Sequence, residues 1–514
     1  MVPMPPGGFS FAVTLEDEQA TGRLAADIAG LTEPGDMITL SGDLGAGKTA
    51  FARALIRHFA GNEDVEVPSP TFTLTQHYDL PRFPLLHADL YRLSGPGDLI
   101  ELGFDDAPEN TVTLLEWPDR AGGQLPADRL EIAFTLSPPQ GETFRHAQIT
   151  GHGAVAARAE RMAVIRHFLR EAGMERAARW RIQGDASTRS YERLALDDKR
   201  YIMMNSPKRP DGPPIRYGRS YSAIAHLAES VTPFIAMAKG LRTLGLSAPA
   251  IHAADRDAGL LLLEDLGDDL VVSGDPPAPI EARYQAAAEV LATLHRTSVP
   301  NALPVEPGVT YELPRYDMDA LLMEAELLLD WFLPRIGHAP SEAVRSSYRT
   351  LWHKALTPVL AMPPTWVLRD FHSPNLLWLA DRKGVACVGL LDFQDAVMGP
   401  AAYDVASLLQ DARVDVPETL EITLLSRYTR MRLAAEPGFD AAAFARSYAT
   451  MAAQRASKIL GIFARLDRRD GKPQYLRHLP RVWSYLQRSL AHPELAPLAE
   501  WYRANIPAPK VIPR

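Results

Sequence analysis

Cysteine is almost missing from this chain: of its 514 residues, only Cys387 is one. A single thiol excludes an intrachain disulfide and a cysteine-rich zinc site, and it suits a reducing compartment. Cys387 lies in the apolar run from Val385 to Leu391, where a buried packing role is expected rather than reactivity. Long apolar runs are missing too. None reaches the roughly 18–20 residues of a membrane-spanning helix. The opening MVPMPPGGF has neither a basic stretch nor an apolar core, so no signal peptide is expected. The expectation is a cytoplasmic protein with no membrane partner. Basic excess is equally lacking. Net charge is −9 and the pI about 5.9, which argues against broad electrostatic wrapping of nucleic acid. No low-complexity tract interrupts a composition of 46% hydrophobic and 23% charged residues, as in globular proteins. The length exceeds one ordinary core and suggests roughly two to four domains.

What is present begins with Gly42-Asp43-Leu44-Gly45-Ala46-Gly47-Lys48-Thr49, which fits G-x-x-x-x-G-K-[ST]. Met37 to Ser41 reads as a buried strand before it and Ala50 to Phe59 as a helix after it, the context a phosphate-binding loop requires. Glycines let successive N–H groups curl around phosphate oxygens, and the helix N-terminus adds positive potential. Lys48 would reach the β/γ-phosphates of ATP and the Thr49 hydroxyl would ligate Mg²⁺. Upstream, residues 9–15 alternate like an edge strand. Asp17 to Thr21 starts a helix expected to stop at Gly30. Val67 to Leu74, with two prolines and several hydroxyls, reads as a rigid loop of the kind that senses nucleotide. Two further apolar runs end in acids, Leu85 to Arg92 with Asp89 and Thr111 to Leu115 followed by Glu116-Trp117-Pro118. Such strand ends are the usual route to Mg²⁺ or a catalytic water in P-loop proteins. His87 is expected to pack or to support another ligand rather than bind zinc.

Residues about 9–152 resemble the TsaE (YjeE) family, the small ATPase of bacterial tRNA threonylcarbamoyladenosine synthesis. The resemblance rests on the Asp17–Thr21 helix start, GDLGAGKT at 42–49, SPTFTL at 69–74, HADLYRL at 87–93 and LEWPDR at 115–120. It implies ATP held by the 42–49 loop with Glu18 and the Gly141 region nearby. It also implies Mg²⁺ held by Thr49 and Glu116, and Asp89 and Trp117 needed for hydrolysis. The family docks on a TsaB–TsaD partner complex, so contact with tRNA would be indirect and no basic RNA-binding stripe is needed.

After Thr150-Gly151-His152-Gly153 the texture changes to an Ala/Arg-rich helix, Ala154 to Ala172, and a module boundary is placed near 155. Strand-like Trp180 to Gln183 and Glu192 to Leu196 flank Gly184 to Tyr191. This small, hydroxyl-rich loop would fold over ATP phosphates, with Ser187 and Arg189 contributing. Leu260 to Leu263 leads into Glu264-Asp265-Leu266-Gly267-Asp268, an interlobe hinge whose backbone at Glu264 and Leu266 would meet adenine. Asp370 ends an apolar strand, Asn375 follows five residues on, and Asp392 ends another strand after a hairpin. This is the catalytic-loop and metal pattern of the kinase fold. Asp370 would accept the substrate hydroxyl proton, while Asn375 and Asp392 would hold Mg²⁺.

Residues about 160–500 resemble the aminoglycoside phosphotransferase/choline-kinase superfamily, and most resemble kinases of N-acetylmuramate and N-acetylglucosamine. The matching stretches are GDASTRSY at 184–191, LLLEDLGD at 261–268, RDFHSPNLL at 369–377, 389–414 and 454–466. Two departures stand out. Leu368 occupies the place where the superfamily often has His. Tyr201 to Asn205 also lacks the usual strand Lys, leaving phosphate neutralisation to Arg189, Lys208 or metal. A ligand-binding pseudokinase that regulates the ATPase is therefore the alternative.

The expected architecture is an α/β P-loop NTPase domain over 1–155 followed by an α+β two-lobed protein-kinase-like domain over 156–514. Its N-lobe would span about 156–268 and its helical C-lobe about 269–514. Apolar residues spaced by three and four predict helices around 281–296, 318–333, 443–464 and 480–488. Glu324, Glu326, Arg455 and Lys458 would line a sugar pocket or, the preferred reading, lie as ordinary helix-surface charge. Residues 506–514 are expected to fray.

Overall fold

The computed structural model describes residues 8–93, 108–137, 144–182 and 189–508. The chain forms two compact units, Met1–Asn205 and Ser206–Arg514.

In the first unit, β1 (Phe9–Leu15) leads into α1 (Glu18–Leu31). Asp17 caps α1 by accepting the Ala20 N–H at 2.6 Å, satisfying a donor that the first helical turn leaves orphaned. Ala20, Leu24 and Ile28, one turn apart, point one buried stripe at the core. The helix passes through Gly30, where a stop was expected. It ends only at Thr32, whose hydroxyl and N–H both bond the Ile28 carbonyl. Then come β2 (Met37–Ser41), α2 (Lys48–Ala60), β3 (Thr75–Asp79), β4 (Pro84–Asp89), β5 (Val112–Glu116), β6 (Arg129–Leu136) and β7 (Arg145–His152). They form a seven-stranded sheet ordered β1-β7-β6-β2-β5-β4-β3. The β2–β6, β2–β5 and β4–β5 pairs are parallel, while the outer pairs are antiparallel. The central strands are buried runs, as parallel strands covered on both faces must be. α3 (Ala156–Glu171) adds Ala159 and Met162 to the same core. An antiparallel meander follows: β8 (Ala178–Ile182), β9 (Ser190–Leu196) and β10 (Lys199–Asn205).

The second unit opens with the short strand pair Pro214–Arg216 and Arg219–Ser220 and the helices Tyr221–Ala225 and Thr232–Thr243, continues with a hairpin of Ile251–Asp255 against Leu260–Glu264, and is otherwise mainly helical. The predicted helices appear as Glu281–Arg296, Met318–Leu327, Ala441–Asp470 and Leu479–Leu490, the second continuing through a wide π-type turn at Leu328–Phe332. Two small antiparallel pairs carry the strand-end acids of this unit, Thr365–Val367 with Val397–Gly399 and Leu376–Trp378 with Val388–Leu390. Cys387 is buried, as expected. Glu324, Glu326 and Arg455 are not surface charge: all three are buried, because their helices pack on several sides rather than one. Ile506 is also buried, so the tail is packed further than expected. No helix among the described residues is long and apolar enough to cross a membrane.

Candidate active sites

The loop at 42–49 joins the end of β2 to the start of α2. Gly42 has φ 130°, and a Cβ there would lie 2.3 Å from the Phe134 carbonyl oxygen, so only glycine fits this crossing of β6. Gly47, at φ 107°, is the N-cap of α2. The helix therefore starts at Lys48, two residues before the predicted start, and turns its free N–H groups toward the loop. Asp43, Leu44, Gly45 and Ala46 complete the curl, with Leu44 75% exposed at its tip and Ala46 buried.

Lys48 is buried and folds back on the loop, its Nζ donating to the Gly42 carbonyl at 2.7 Å and the Asp43 carbonyl at 3.0 Å. The ammonium also sits 3.7 Å from the centre of the Trp117 ring, a cation–π contact. Burial pulls its pKa below the ordinary lysine value, with Glu116, Asp89 and Asp43 opposing. β5 delivers Glu116 beside this cradle: Oε2 accepts the Thr49 hydroxyl at 3.0 Å and Oε1 meets His87 Nε2 at 3.0 Å. His87 thus touches a predicted ligand, as expected. Asp89, at the end of β4, accepts the Thr71 hydroxyl at 3.0 Å and the Tyr91 N–H at 2.9 Å. The proline-rich loop therefore reaches this carboxylate through Thr71, a contact that spacing did not reveal. Trp117 takes a left-handed φ of 61° and packs on Tyr91. Glu18 opens α1; Gly141 lies outside the described residues.

In the second unit, Thr365–Val367 delivers Leu368, Arg369 and Asp370 into a loop fastened from below by Asp404. Its Oδ2 accepts the Leu368 N–H at 2.6 Å and its Oδ1 the Arg369 N–H at 2.9 Å. Arg369 adopts φ 69° and is fully enclosed. Its guanidinium donates to the Ala225 carbonyl at 2.7 Å and pairs with Glu324. Glu324 in turn accepts from Lys458 at 2.8 Å and from the Tyr316 hydroxyl. Burial alone would raise the Glu324 pKa, but Lys458 and Arg369 outweigh it and keep the carboxyl ionised.

Asp370 is 43% exposed, and His372 Nε2 lies 3.7 Å from its Oδ1. Partial burial opposes its charge, yet His372, Lys458 and Arg369 hold the carboxyl well below the usual carboxylate range. The Asn375 amide donates to the Asp370 carbonyl at 3.0 Å, which leaves its side-chain oxygen as an acceptor. The Leu391 N–H bonds the Asn375 carbonyl at 3.0 Å and so brings Asp392 against the same loop. Asp392 has φ 57° and accepts the Gln394 amide at 2.7 Å. The loop is braced further by Asp411, which accepts the Ser373 N–H at 2.9 Å and hydroxyl at 2.5 Å. Asp404, Glu324 and Asp411 are braces that sequence reasoning missed. Each lies 35 or more residues from its partner, and a single buried acid has no periodic signature.

Glu264 ends its strand, accepts the Ala250 N–H at 3.0 Å and pairs with Arg382. Leu266 is buried just beyond. Arg189 precedes β9, whereas Ser187 lies outside the described residues. β10 offers buried Met203 and Met204 where a kinase lysine would stand, with Lys199 exposed at its start and Lys208 exposed after its end.

Both sites suit Mg²⁺ in donor chemistry. Mg²⁺ takes one or two protein oxygens and completes its shell with phosphates and water. Thr49 with Glu116, and Asn375 with Asp392, are oxygen sets of that kind. Among the described residues no group of three or more His, Cys, Asp or Glu side chains is placed to hold a metal.

A phosphate-binding loop with acids at neighbouring strand ends, and a separate Asp/Asn/Asp loop of kinase type, define an ATP-using enzyme of two modules. Residues 15–143 match the family model of the threonylcarbamoyl adenosine biosynthesis protein TsaE, and residues 180–445 match that of the phosphotransferase enzyme family. The chain belongs to the phosphotransferase enzyme family, with a TsaE-family module fused ahead of it. An N-acetylmuramate/N-acetylglucosamine kinase of Caulobacter vibrioides is 40% identical over 68% of this chain and 97% of its own length. A kinase of the same name from Pseudomonas aeruginosa is 33% identical over 62% of this chain and 85% of its own. A tRNA threonylcarbamoyladenosine biosynthesis protein TsaE from Rickettsia bellii is 39% identical over 24% of this chain and 84% of its own. The fold is accordingly a P-loop α/β module followed by a protein-kinase-like module.

Proposed function

We propose that this chain couples two activities in one polypeptide. One is an ATPase supporting N6-threonylcarbamoylation of tRNA A37; the other is an ATP-dependent kinase of a cell-wall amino sugar, N-acetylmuramate or N-acetylglucosamine. The modules meet near residue 155, and the cytoplasm is the compartment proposed for both. The first module works with a TsaB–TsaD-type complex and meets tRNA only through it.

In the ATPase module the 42–49 loop cradles the phosphates, and Thr49 and Glu116 are the residues that would hold Mg²⁺. Asp89 orients the attacking water, and Trp117 keeps Lys48 over the loop. In the kinase module Asn375 and Asp392 would hold Mg²⁺, while Arg189 and the Ser187 loop cover the phosphates. The backbone at Glu264 and Leu266 receives adenine. Bound Mg²⁺ supplies neutralisation of charge on the phosphates. Asp370, kept ionised by its neighbours, accepts the proton of the sugar hydroxyl. That oxygen bonds the γ-phosphorus, the bond to the β-phosphate oxygen breaks, and ADP leaves.

The observation that carries the kinase reading is the linkage of Asp370, Asn375 and Asp392 into one loop through the Asn375 amide and the Leu391 N–H. A pseudokinase has less support, since all three groups are retained. The test is sugar-dependent ADP release across a panel containing both amino sugars, with Asp370→Asn as control. Phosphosugar formed by the natural chain and lost in the variant is expected. Equal ADP release by both proteins would remove the assignment.

A further inference from the structure

One cleft of the first unit belongs to neither ATP site. It has a volume of about 420 Å³, within the range of small-molecule pockets. Its floor is edge strand β1, three places across the sheet from β2, which delivers the phosphate loop. α1 and α3 form its walls, and the segment from Glu175 to β8 closes one end. Arg23 and Asp27 share one face of α1 four residues apart, as Arg166 and Arg170 do on α3.

The charges here do not cancel. Arg23, Arg166, Arg170, Arg176 and Arg179 line the cleft against Glu16, Asp27 and Glu175, in a chain whose net charge is −9. Buried Asp27 is saturated, with one oxygen on Arg166 and the other on Arg179, and Arg179 also pairs with Glu192 at 2.8 Å. That leaves three guanidinium groups underused. Arg23 has no hydrogen-bond or ion-pair partner among the described residues. Arg176 has only Glu16, at 3.8 Å, and Arg170 has His167 at 2.9 Å and Glu171 at 3.8 Å. Planar guanidinium forks with spare donors, mounted on two helices and backed by a locked Arg–Asp–Arg floor, match the oxygens of a phosphate group.

We propose that this cleft binds a small phosphate ester of sugar-phosphate size, with Arg23, Arg170 and Arg176 on the phosphate. Bound there, it bridges α1 of the P-loop sheet to α3 and β8. The proposal does not depend on which acceptor the kinase module uses.

The test is calorimetric titration of the full chain, free of nucleotide, with ribose 5-phosphate and in parallel with ribose, neither of them an acceptor or product of the amino-sugar kinase proposed above. One saturable site for the phosphate ester is expected, weakened at least tenfold by Arg23→Glu and by Arg170→Glu, and unchanged by Asp370→Asn. Both arginines lie on helix surfaces, so an unchanged thermal midpoint is expected to show that the variants fold. Binding lost in Asp370→Asn but kept in Arg23→Glu would place the ligand in the kinase site and overturn the proposal. Equal binding of the unphosphorylated sugar, or no binding of the ester, would also overturn it.

Discussion

The Asp404 carboxylate caps the backbone of Arg369, accepting its N–H at 2.9 Å with one oxygen and that of Leu368 at 2.6 Å with the other. The carboxylate therefore sets the direction in which the chain leaves its strand just before Asp370. Burial pushes Asp404 up to about 7, against these two N–H groups. A raised native pKa means the folded state holds the proton more tightly. That stability is complete below about pH 4 and is lost as pH rises toward 7. Activity should run the other way. Below pH 7 one oxygen carries a proton and stops accepting, the loop loosens, and kcat of phosphoryl transfer falls. Asp404→Asn should flatten the dependence of thermal midpoint on pH between 4 and 7. It should lower kcat on the order of tenfold, the worth of one hydrogen bond. An unaltered midpoint profile in the variant would count against this role.

Glu324 sits fully enclosed between Arg369 and Lys458. Replacing it by Gln strands two buried cations. Breaking such a pair costs about 3–5 kcal/mol. Urea unfolding of Glu324→Gln should show that loss in the transition of the second unit, with phosphoryl transfer falling as Arg369 is released.

Lys48→Ala removes the buried ammonium that lies over the 42–49 loop. Loss of one preorganised phosphate donor lowers turnover by about 10²–10³-fold. Phosphate release measured without sugar should fall by that order, while sugar phosphorylation remains, because the two sites share no residue. A parallel fall in both rates would show that the modules depend on each other.

Gly461→Ala should destabilise, although alanine in an ordinary helix gains about 1 kcal/mol over glycine. A Cβ at 461 would lie 2.3 Å from the carbonyl carbon of Leu327, where two helices cross. Overpacking of this kind costs about 1–3 kcal/mol. A thermal midpoint raised in the variant would mean that the crossing is looser than the structure has it.

Much of both sites was legible because their parts are local. The 42–49 loop is one unbroken stretch, and the apolar runs ending in Glu116 and Asp370 fall on buried strands. Where local reading erred, packing was the cause. Local preference places a stop at Gly30, but the helix continues because its buried stripe runs on to Ile28 and Thr32 closes the end. Glu324, Glu326 and Arg455 resemble surface charge in sequence, since one helix viewed alone presents them like any polar face, yet all three are buried.

The sequence by itself determined the phosphate loop, the strand-end acids and the existence of two modules, because each is written in adjacent residues whose backbone preferences suffice. Tertiary structure alone decided that Thr49 meets Glu116, 67 residues away, and that Glu324 meets Lys458, 134 away. It also decided that Asp27 is locked between two arginines. Such contacts depend on which helix faces are brought together. Periodicity reports that a face is buried, and only the packed chain says what lies opposite.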